Sequence, residues 1–278
     1  MLALLLSLAV VASGGASDSL PNRTDSVKFA VIGDAGTGSR EQYEVAARMG
    51  EAHAGFPFDL VLMVGDNFYG GQRPADLVRK FDEPYRPLLS AGVSFRAAIG
   101  NHDELRTIDY PPLNMGGQRY YTFARRNIRY FALDTNAVDD RQLRWFDAAL
   151  QDAQEEWKIC FFHHPLYSNA GRHGAALDVR TLLEPILLRY GVDVVFSGHD
   201  HVYERLAPQK GIQYFVTGAS GQLRTGDIHP SPQTSAYFDR DQSFLLVEIA
   251  GSELFFEAVS RQGTRIDSGS MVRQRRLP

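Results

Sequence analysis

The chain has 278 residues, of which 44% are hydrophobic and 22% are charged, a composition that excludes intrinsic disorder and fits one large domain or two small ones. The formal net charge of −4 gives no general attraction for nucleic acid or for an anionic membrane. The single cysteine, Cys160, excludes an internal disulfide framework and a cysteine-rich zinc module. A chain of this length can bury a sizeable core without cross-links.

A short apolar segment opens the chain. Residues 2–12 are apolar, and residues 13–17 are small. This pattern is typical of a secretory signal peptide, and it is too short for a membrane-spanning helix of about 20 residues. No Lys or Arg precedes the apolar run, so a buried helix or a misassigned start is the alternative. We predict a signal peptide over 1–16, cleavage near Ala16 and an exported protein without a membrane anchor after signal removal.

Strand and helix signals alternate through most of the chain. Short apolar runs predict strands over 27–33, 58–64, 93–99, 120–123, 128–133, 158–162, 192–196, 212–217, 244–249 and 253–258. Apolar residues at helical spacing predict helices over 40–54, 75–90, 142–154 and 176–190, the second disturbed by two prolines. Alternating strands and helices followed by strands alone predict an α/β layered fold with an added antiparallel sheet. We expect one domain over 26–262 and a polar basic tail over 263–278 that is solvated and frayed.

Polar residues directly follow five of the predicted buried strands. The five segments are Gly33-Asp34-Ala35-Gly36, Gly65-Asp66-Asn67-Phe68-Tyr69, Gly100-Asn101-His102-Asp103, His163-His164-Pro165 and Ser197-Gly198-His199-Asp200-His201. In open α/β sheets ligands bind outside the carboxyl ends of the strands, so we expect these segments to meet at one rim. A glycine before or beside the polar residues would allow the tight turn that directs each side chain away from its strand.

The residue types in these segments suit a metal site. Asp, Asn and His supply the oxygen and nitrogen ligands that Zn, Fe, Mn and Ni accept, and no thiolate is among them. Taken singly, an Asp after a Gly is usually a turn residue, and a single His is weak evidence. The joint occurrence at five strand ends favours metal binding. His53 on a predicted helix and His229 in a Pro/Ser-rich loop are interpreted as surface residues, and Cys160 as a buried packing thiol.

In this order the five segments resemble the motifs of the calcineurin-like metallophosphoesterases. Tyr69, three residues after Asp66, narrows the resemblance to the purple acid phosphatases, particularly the small tartrate-resistant type. The similarity runs from about residue 27 to residue 218 and includes Ala132-Leu-Asp134-Thr. It implies a four-layer α/β/β/α sandwich of two mixed β-sheets flanked by helices.

The resemblance also implies a site for two metal ions, Fe(III) and a second ion that is Fe(II), Zn or Mn. The implied ligands of Fe(III) are Asp34, Asp66, Tyr69 and His201, and those of the second ion are the bridging Asp66, Asn101, His163 and His199. His102 is implied as the phosphate contact and proton donor. His173 is implied as a second catalytic histidine, in a loop one residue longer than in the tartrate-resistant type. His164 stands at a variable position and is left outside the ligand set.

The implied activity is that of an acid phosphatase acting on phosphomonoesters, with small phosphate esters and phosphoproteins as candidate substrates. Two cations clamp phosphoryl oxygens and lower the pKa of a bound water, so a metal-bound hydroxide can attack while an imidazolium protonates the leaving oxygen. A phosphodiesterase or nucleotidase on the same scaffold is the main alternative, and Tyr69 argues against its manganese-dependent branch. A non-catalytic phosphate-binding homologue is disfavoured because all seven ligand positions hold the expected residue.

Overall fold

The fold is built on thirteen strands within residues 20–273, the part of the chain that the computed structural model describes. In chain order these are β1 (Val27–Ile32), β2 (Leu60–Met63), β3 (Ser94–Ala97), β4 (Tyr121–Arg125), β5 (Ile128–Ala132), β6 (Trp157–Phe161), β7 (Val194–Ser197), β8 (Tyr203–Leu206), β9 (Gln213–Thr217), β10 (Thr234–Phe238), β11 (Ser243–Ala250), β12 (Glu253–Ser260) and β13 (Arg265–Val272). The first sheet has the order β13-β12-β11-β1-β2-β3, and the second has the order β10-β8-β9-β7-β6-β5-β4.

Both sheets are mixed. In the first sheet β1, β2 and β3 are parallel, and β11 pairs antiparallel with β1. In the second sheet β5, β6, β7 and β9 are parallel, whereas β4 and β8 run antiparallel to their neighbours. The sheets face each other across an aromatic core, in which the ring of Phe29 from the first sheet lies 5.8 Å from Tyr130 and 6.0 Å from Phe196 of the second.

Helices cover the outer faces of the sandwich. They are α1 (Arg40–Gly55), α2 (Pro74–Leu77), α3 (Arg86–Ser90), α4 (Asp140–Gln151) and α5 (Leu177–Arg189). Helix α1 packs on α3 and β11 of the first sheet. Phe146 of α4 and Leu183 of α5 are buried in a second apolar cluster against the outer face of the second sheet. The predicted four-layer α/β/β/α sandwich is therefore confirmed.

The predicted helix over 75–90 is interrupted, as its prolines indicated. Helix α2 passes into a π-helical turn at Val78–Asp82, and α3 begins only at Arg86. Pro84 lies between the two segments, where proline cannot donate a helical hydrogen bond, and Pro87 lies in the first turn of α3, where no donor is required. The remaining predicted helices and all ten predicted strands have counterparts within a few residues.

Three strands were not predicted, and one of them corrects the expected tail. Strands β8 and β10 are short, and β13 is polar, so none carries a strong apolar signal. Strand β13 pairs antiparallel with β12 from Glu253 opposite Val272 to Val259 opposite Arg265. The expectation of a frayed end is therefore wrong for residues 265–272. An edge strand needs apolar residues on one face only, so the sequence of β13 contains enough polar residues to resemble a solvent-exposed tail.

The predicted signal peptide over 1–16 lies outside the described residues. Within residues 20–273 no helix combines the length and the apolar character that crossing a membrane requires.

Candidate metal centre

The five polar segments meet at one rim of the sandwich, as predicted. They follow β1, β2 and β3 of the first sheet and β6 and β7 of the second. The backbone N–H of Asp34 donates to the carbonyl of Gly65 at 3.1 Å, and that of Gly198 donates to the carbonyl of His163 at 2.9 Å. The backbone N–H of His199 donates to Oδ2 of Asp34 at 2.8 Å, which joins the rims of the two sheets.

Three of the predicted ligand residues have left-handed backbone conformations. The φ angles are +54° at Asp34, +50° at Asp66 and +69° at His199. Non-glycine residues adopt this conformation at a cost of about 1–3 kcal/mol, which the surrounding contacts must offset. These turns direct the side chains away from the strands.

The neighbouring glycines are needed mainly because other chain segments pack too closely against them to leave room for a side chain. This finding corrects the expectation that they are needed for tight turns. Of the glycines beside the predicted ligands, Gly65 has a positive φ, +98°, whereas Gly100 and Gly198 do not. A Cβ at Gly100 would collide with the backbone of Asp66, and one at Gly198 would lie 2.5 Å from Oδ2 of Asp34. A side chain at either position would therefore displace a carboxylate of the site.

The first group of ligand atoms comprises the side chains predicted for Fe(III). The Tyr69 hydroxyl donates to Oδ1 of Asp34 at 2.9 Å and lies 3.1 Å from Nε2 of His201. That His201 nitrogen is 3.4 Å from Oδ1 of Asp34. Ligand atoms of Asp34, Asp66 and His201 all lie within 4.8 Å of one another, and all three residues are buried. Two carboxylates, a phenol and an imidazole thus converge on one point.

The second group is centred on the fully buried His163. Its Nε2 lies 2.8 Å from Oδ1 of Asn101, 3.1 Å from Nδ1 of His199 and 3.4 Å from Oδ1 of Asp66. Its Nδ1 faces the carbonyl of Val64 at 3.1 Å, and this contact orients the ring. Asp66 therefore lies close to both groups.

The donor set fits two cations. Ligand atoms held at about 2.0–2.2 Å from one ion lie roughly 2.8–3.6 Å apart, the range found in both groups. Nitrogen atoms of two imidazoles, His163 and His199, face each other at 3.1 Å with an amide oxygen beside them. A shared cation would satisfy these converging lone pairs, and the buried carboxylates would balance its charge.

Burial sets the protonation of these groups. It is the largest cause lowering the pKa of His163 well below its ordinary value, that of His199 to about 2 and that of His201 to about 4. The imidazoles are therefore held neutral, the form that binds metals. Burial and, second, the charge of Asp66 raise the pKa of Asp34 well above its ordinary value. Burial followed by the charge of Asp34 raises the pKa of Tyr69, so without a cation it remains a phenol.

The two predicted catalytic histidines flank the ligand groups. His102 is exposed, its backbone N–H donates to Oδ1 of Asp66 at 2.8 Å, and its ring lies 4.6 Å from that of Tyr69. The ring of His173 lies 4.2 Å from that of His199. Burial and then the charge of Arg224 lower the pKa of His173. Both side chains therefore border the point where the ligand atoms converge.

His164 lies closer to the centre than the sequence suggested. It forms a possible metal-holding group with His163 and His199, and its ring lies 4.4 Å from that of His199. The hydroxyl of Thr135 contacts Nδ1 of His164 at 2.9 Å, which leaves Nε2 as the nitrogen available to a ligand.

Two carboxylates that the sequence analysis left without a role hold the loops in place. Asp103 accepts the backbone N–H groups of Gly100 at 2.8 Å, Phe68 at 2.9 Å and Asn67 at 3.2 Å, and also the Asn67 side chain at 2.7 Å. Asp200 accepts the hydroxyl of Ser168 at 2.6 Å in the loop that carries His173. Each stands inside a motif already noted, directly after a candidate site residue, and that adjacency is the signal that could have identified it.

Arg224 is a further neighbour that the sequence did not indicate. Its backbone N–H donates to the carbonyl of His201 at 2.9 Å, and its Nε lies 3.4 Å from Nδ1 of that residue. The contact arises from tertiary folding of the loop after β9, more than twenty residues beyond His201, and no local pattern marks it.

Comparisons with known proteins identify a family and several relatives of this chain. A family model described as calcineurin-like phosphoesterase matches residues 27–203. Purple acid phosphatase 3 of Arabidopsis thaliana is 27% identical over 274 residues, covering 84% of this chain and 75% of the relative. Tartrate-resistant acid phosphatase type 5 of Mus musculus is 25% identical over 305 residues, covering 91% of this chain and 92% of the relative.

A solved structure has the same fold. Purple acid phosphatase PPD1 from seeds of yellow lupin (Lupinus luteus) superposes with a TM-score of 0.77 at 17% identity, covering 92% of this chain. The matched region is 55% of the lupin chain, so the present chain spans about half of that protein.

The predicted resemblance is confirmed by these likenesses. They support a metal-dependent phosphoesterase with a dinuclear metal centre that acts on phosphate esters. The family model covers well over half of the chain and ends at Tyr203, just beyond the last of the five polar segments. The chain therefore belongs to the calcineurin-like phosphoesterase family.

Proposed function

We propose that this protein is an acid phosphatase that hydrolyses phosphomonoesters with two bound metal ions. Fe(III) would be held by Asp34, Asp66, Tyr69 and His201, and Fe(II), Zn or Mn would be held by Asp66, Asn101, His163 and His199. The observation that carries the proposal is the convergence of seven ligand side chains, with Asp66 between the two groups. The presence of a tyrosine hydroxyl in the first group favours a trivalent ion, since a phenol ligates best as the phenolate.

The two ions would supply the electrostatic part of catalysis by polarising the phosphoryl oxygens and acidifying the attacking water. The residues of the chain would orient the phosphate ester and protonate its leaving oxygen. Asn101 and His102 are exposed at the rim, so they can contact a phosphate ester that approaches from solvent. The backbone bond from His102 to Asp66 fixes the histidine beside the bridging carboxylate.

His102 is proposed to donate the proton that the leaving oxygen requires. His173 is proposed to assist from beside the second ligand group, where its ring packs on His199. General acid catalysis by a positioned imidazole contributes about 10²–10⁴-fold to a rate. No nucleophilic side chain is invoked, and Cys160 is buried away from the rim, where burial raises its pKa.

The test is metal analysis combined with paired substrates. The iron- and zinc-loaded protein is expected to bind two metal ions per chain and to hydrolyse 4-nitrophenyl phosphate much faster than bis(4-nitrophenyl) phosphate, with an acidic to neutral optimum. Equal or faster hydrolysis of the diester would replace the proposal by a phosphodiesterase on the same scaffold. Two bound ions with no hydrolysis of either ester would identify a non-catalytic homologue.

A further inference from the structure

Two adjoining cavities extend from the metal centre along the protein surface. The first, of about 570 Å³, is lined by Asn101 and His164 at the centre and by Leu105 and Arg119 further out. The second, of about 530 Å³, begins at Leu105 and Arg119 and ends at Trp145. Because Leu105 and Arg119 line both cavities, the two cavities form one groove, called here the Leu105 groove.

The walls of the Leu105 groove include an exposed leucine and two aromatic rings. Leu105 is 62% exposed. At the far end the rings of Trp145 and Tyr120 lie 4.9 Å apart, and both residues are only half-buried. A planar apolar group placed in the groove would cover Leu105 and contact these rings.

Arg119 contributes a fixed planar surface between the two ends. Its Nε donates to Oδ2 of the buried Asp134 at 2.6 Å, and its Nη2 donates to the carbonyl of Ala137 at 3.2 Å. A guanidinium held on one edge keeps its face available for stacking on an aromatic ring, and little side-chain entropy remains to be lost.

The charge of the Leu105 groove argues against a polyanionic occupant. Its lining carries two guanidinium groups and four carboxyl groups, namely Arg119, Arg141, Asp103, Asp134, Asp139 and Asp178. Asp134 neutralises Arg119 directly. A leaving group with further phosphates would therefore meet an acidic surface, whereas an uncharged arene would not.

We infer that the Leu105 groove binds the leaving group of the substrate and selects phosphomonoesters of extended, uncharged aromatic alcohols. The inference rests on the proposed phosphatase function and specifies its substrate class. The phosphoryl group would lie at the metal centre beside Asn101, the first ring over Leu105 and Arg119, and a second ring against Trp145.

Matched substrates test this directly. Phenyl phosphate and biphenyl-4-yl phosphate have leaving phenols of similar acidity, so the chemistry is alike and the second ring is the difference. The metal-loaded protein is expected to show kcat/KM about tenfold higher for the biphenylyl ester, in line with burial of one further aromatic contact. Of the three substrates, adenosine triphosphate is expected to have the lowest kcat/KM.

Variants locate the effect in the groove. Trp145→Ala is expected to lower kcat/KM more for the biphenylyl ester than for phenyl phosphate and so to remove most of the tenfold preference, because the second ring lies against Trp145. Leu105→Ala is expected to lower kcat/KM for both aryl esters, because the first ring of each lies over Leu105. The matched control is Leu182→Ala, which truncates another exposed leucine, on α5 and outside the groove, and is expected to keep the preference.

A binding measurement adds a readout that is independent of turnover. Trp157 is fully buried, so quenching by a groove ligand would report on Trp145, the other tryptophan of the chain. The non-hydrolysable (4′-nitrobiphenyl-4-yl)methylphosphonate is expected to quench tryptophan fluorescence in the wild type and not in Trp145→Phe, and inorganic phosphate is expected to reverse the quenching.

The outcomes separate the two proposals. Equal kcat/KM for the two aryl esters, or an unchanged preference in Trp145→Ala, would overturn the groove while leaving the phosphatase function intact. Absence of hydrolysis of either ester would overturn the phosphatase function and the groove with it. Preference for adenosine triphosphate over the biphenylyl ester would also contradict the groove.

Discussion

The backbone N–H of His102 donates to Oδ1 of Asp66 at 2.8 Å, so the proposed proton donor is attached to the carboxylate that lies between the two ligand groups. The attachment runs through the backbone, and the imidazole itself remains free to act. Removal of the carboxylate should therefore disturb both metals and the donor, whereas removal of the imidazole should leave the metals in place.

Loss of a ligand side chain should abolish metal binding and activity together. Asp66→Asn and His201→Ala are each expected to lower activity by at least about 10³-fold, because the ions stabilise the transition state by several kcal/mol. Elemental analysis should show fewer than two ions per chain. His53→Ala, on α1 and outside both ligand groups, serves as the control and should retain two ions and full activity. Retention of two ions by His201→Ala would contradict its assignment as a ligand.

The imidazole of His102 should affect the rate alone. His102→Ala is expected to keep two ions per chain and to lose about 10²–10⁴ in kcat, the usual contribution of a positioned general acid. The loss should shrink for esters of acidic phenols, whose leaving oxygens need less protonation. A variant that loses metal, or that loses activity equally for all leaving groups, would assign the residue a structural role.

The part of the site that could be predicted from the sequence is the part built by short segments. The polar segments follow strands of the two sheets, and parallel strands bring their ends to one rim, so local patterns sufficed to group the proposed ligands Asp34, Asp66 and Asn101. The spacing did not show that the left-handed turns fall on Asp34 and Asp66 themselves, with Gly100 and Gly198 needed for close approach. That distinction depends on contacts between segments far apart in the chain.

The missed features are also tertiary. Strand β13 is mostly polar, and it belongs to the sandwich through its pairing with β12, the packing of Ile266 and Met271 against the core and the side-chain contacts of Asp267. Arg224 reaches His201 through a loop with no regular pattern. The Leu105 groove unites residues from three separate parts of the chain, and no periodicity predicts such a surface.

Strand β13 should contribute to stability through Asp267. This carboxylate accepts the hydroxyl of Tyr203 at 2.7 Å and two donors of Arg205 at 2.7 and 3.1 Å, and so ties the last strand of the first sheet to the second sheet. The side chain of Asp267 is 9% exposed and that of Arg205 22%. Asp267→Ala leaves both partners unpaired in a largely buried place, and the expected loss is about 3–5 kcal/mol of unfolding free energy, measured by urea denaturation.

A carboxylate elsewhere in the chain provides a control, because it also contacts one arginine and one tyrosine. Asp147 also accepts from an arginine, Arg189, and from a tyrosine, Tyr190, but the arginine side chain is 62% exposed. Asp147→Ala is expected to cost less than about 1 kcal/mol. Equal losses in the two variants would show that β13 is not anchored by Asp267.

Removal of residues 263–278 should distinguish an integral strand from a frayed tail. The truncation deletes all of β13 and exposes the edge of β12, so the expected result is a less stable protein prone to aggregation. A shorter truncation after Arg273 keeps every described pair between β12 and β13 and serves as the control. Unchanged urea midpoints for both truncated chains would restore the frayed-tail interpretation.

The hydroxyl of Tyr69 lies 2.9 Å from Oδ1 of Asp34 and 3.1 Å from Nε2 of His201. A phenol has a pKa of about 10 in water, and burial with the charges of the two aspartates raises the pKa of this one further. Only a strong Lewis acid can hold it as phenolate, and a phenolate bound to Fe(III) absorbs visible light by charge transfer. The oxidised, iron-loaded protein is therefore expected to be purple or violet.

Tyr69→Phe should bleach this colour while Asp34, Asp66 and His201 still hold the ion, so iron content should be largely kept and hydrolysis can persist. The absorption spectrum and the iron content are measured on the same sample, which separates loss of the phenolate from loss of the metal. Tyr237→Phe removes the hydroxyl of an exposed tyrosine, 46% accessible on β10, and should leave the colour unchanged. A colourless wild type that contains one Fe(III) per chain would show that Tyr69 is not a ligand.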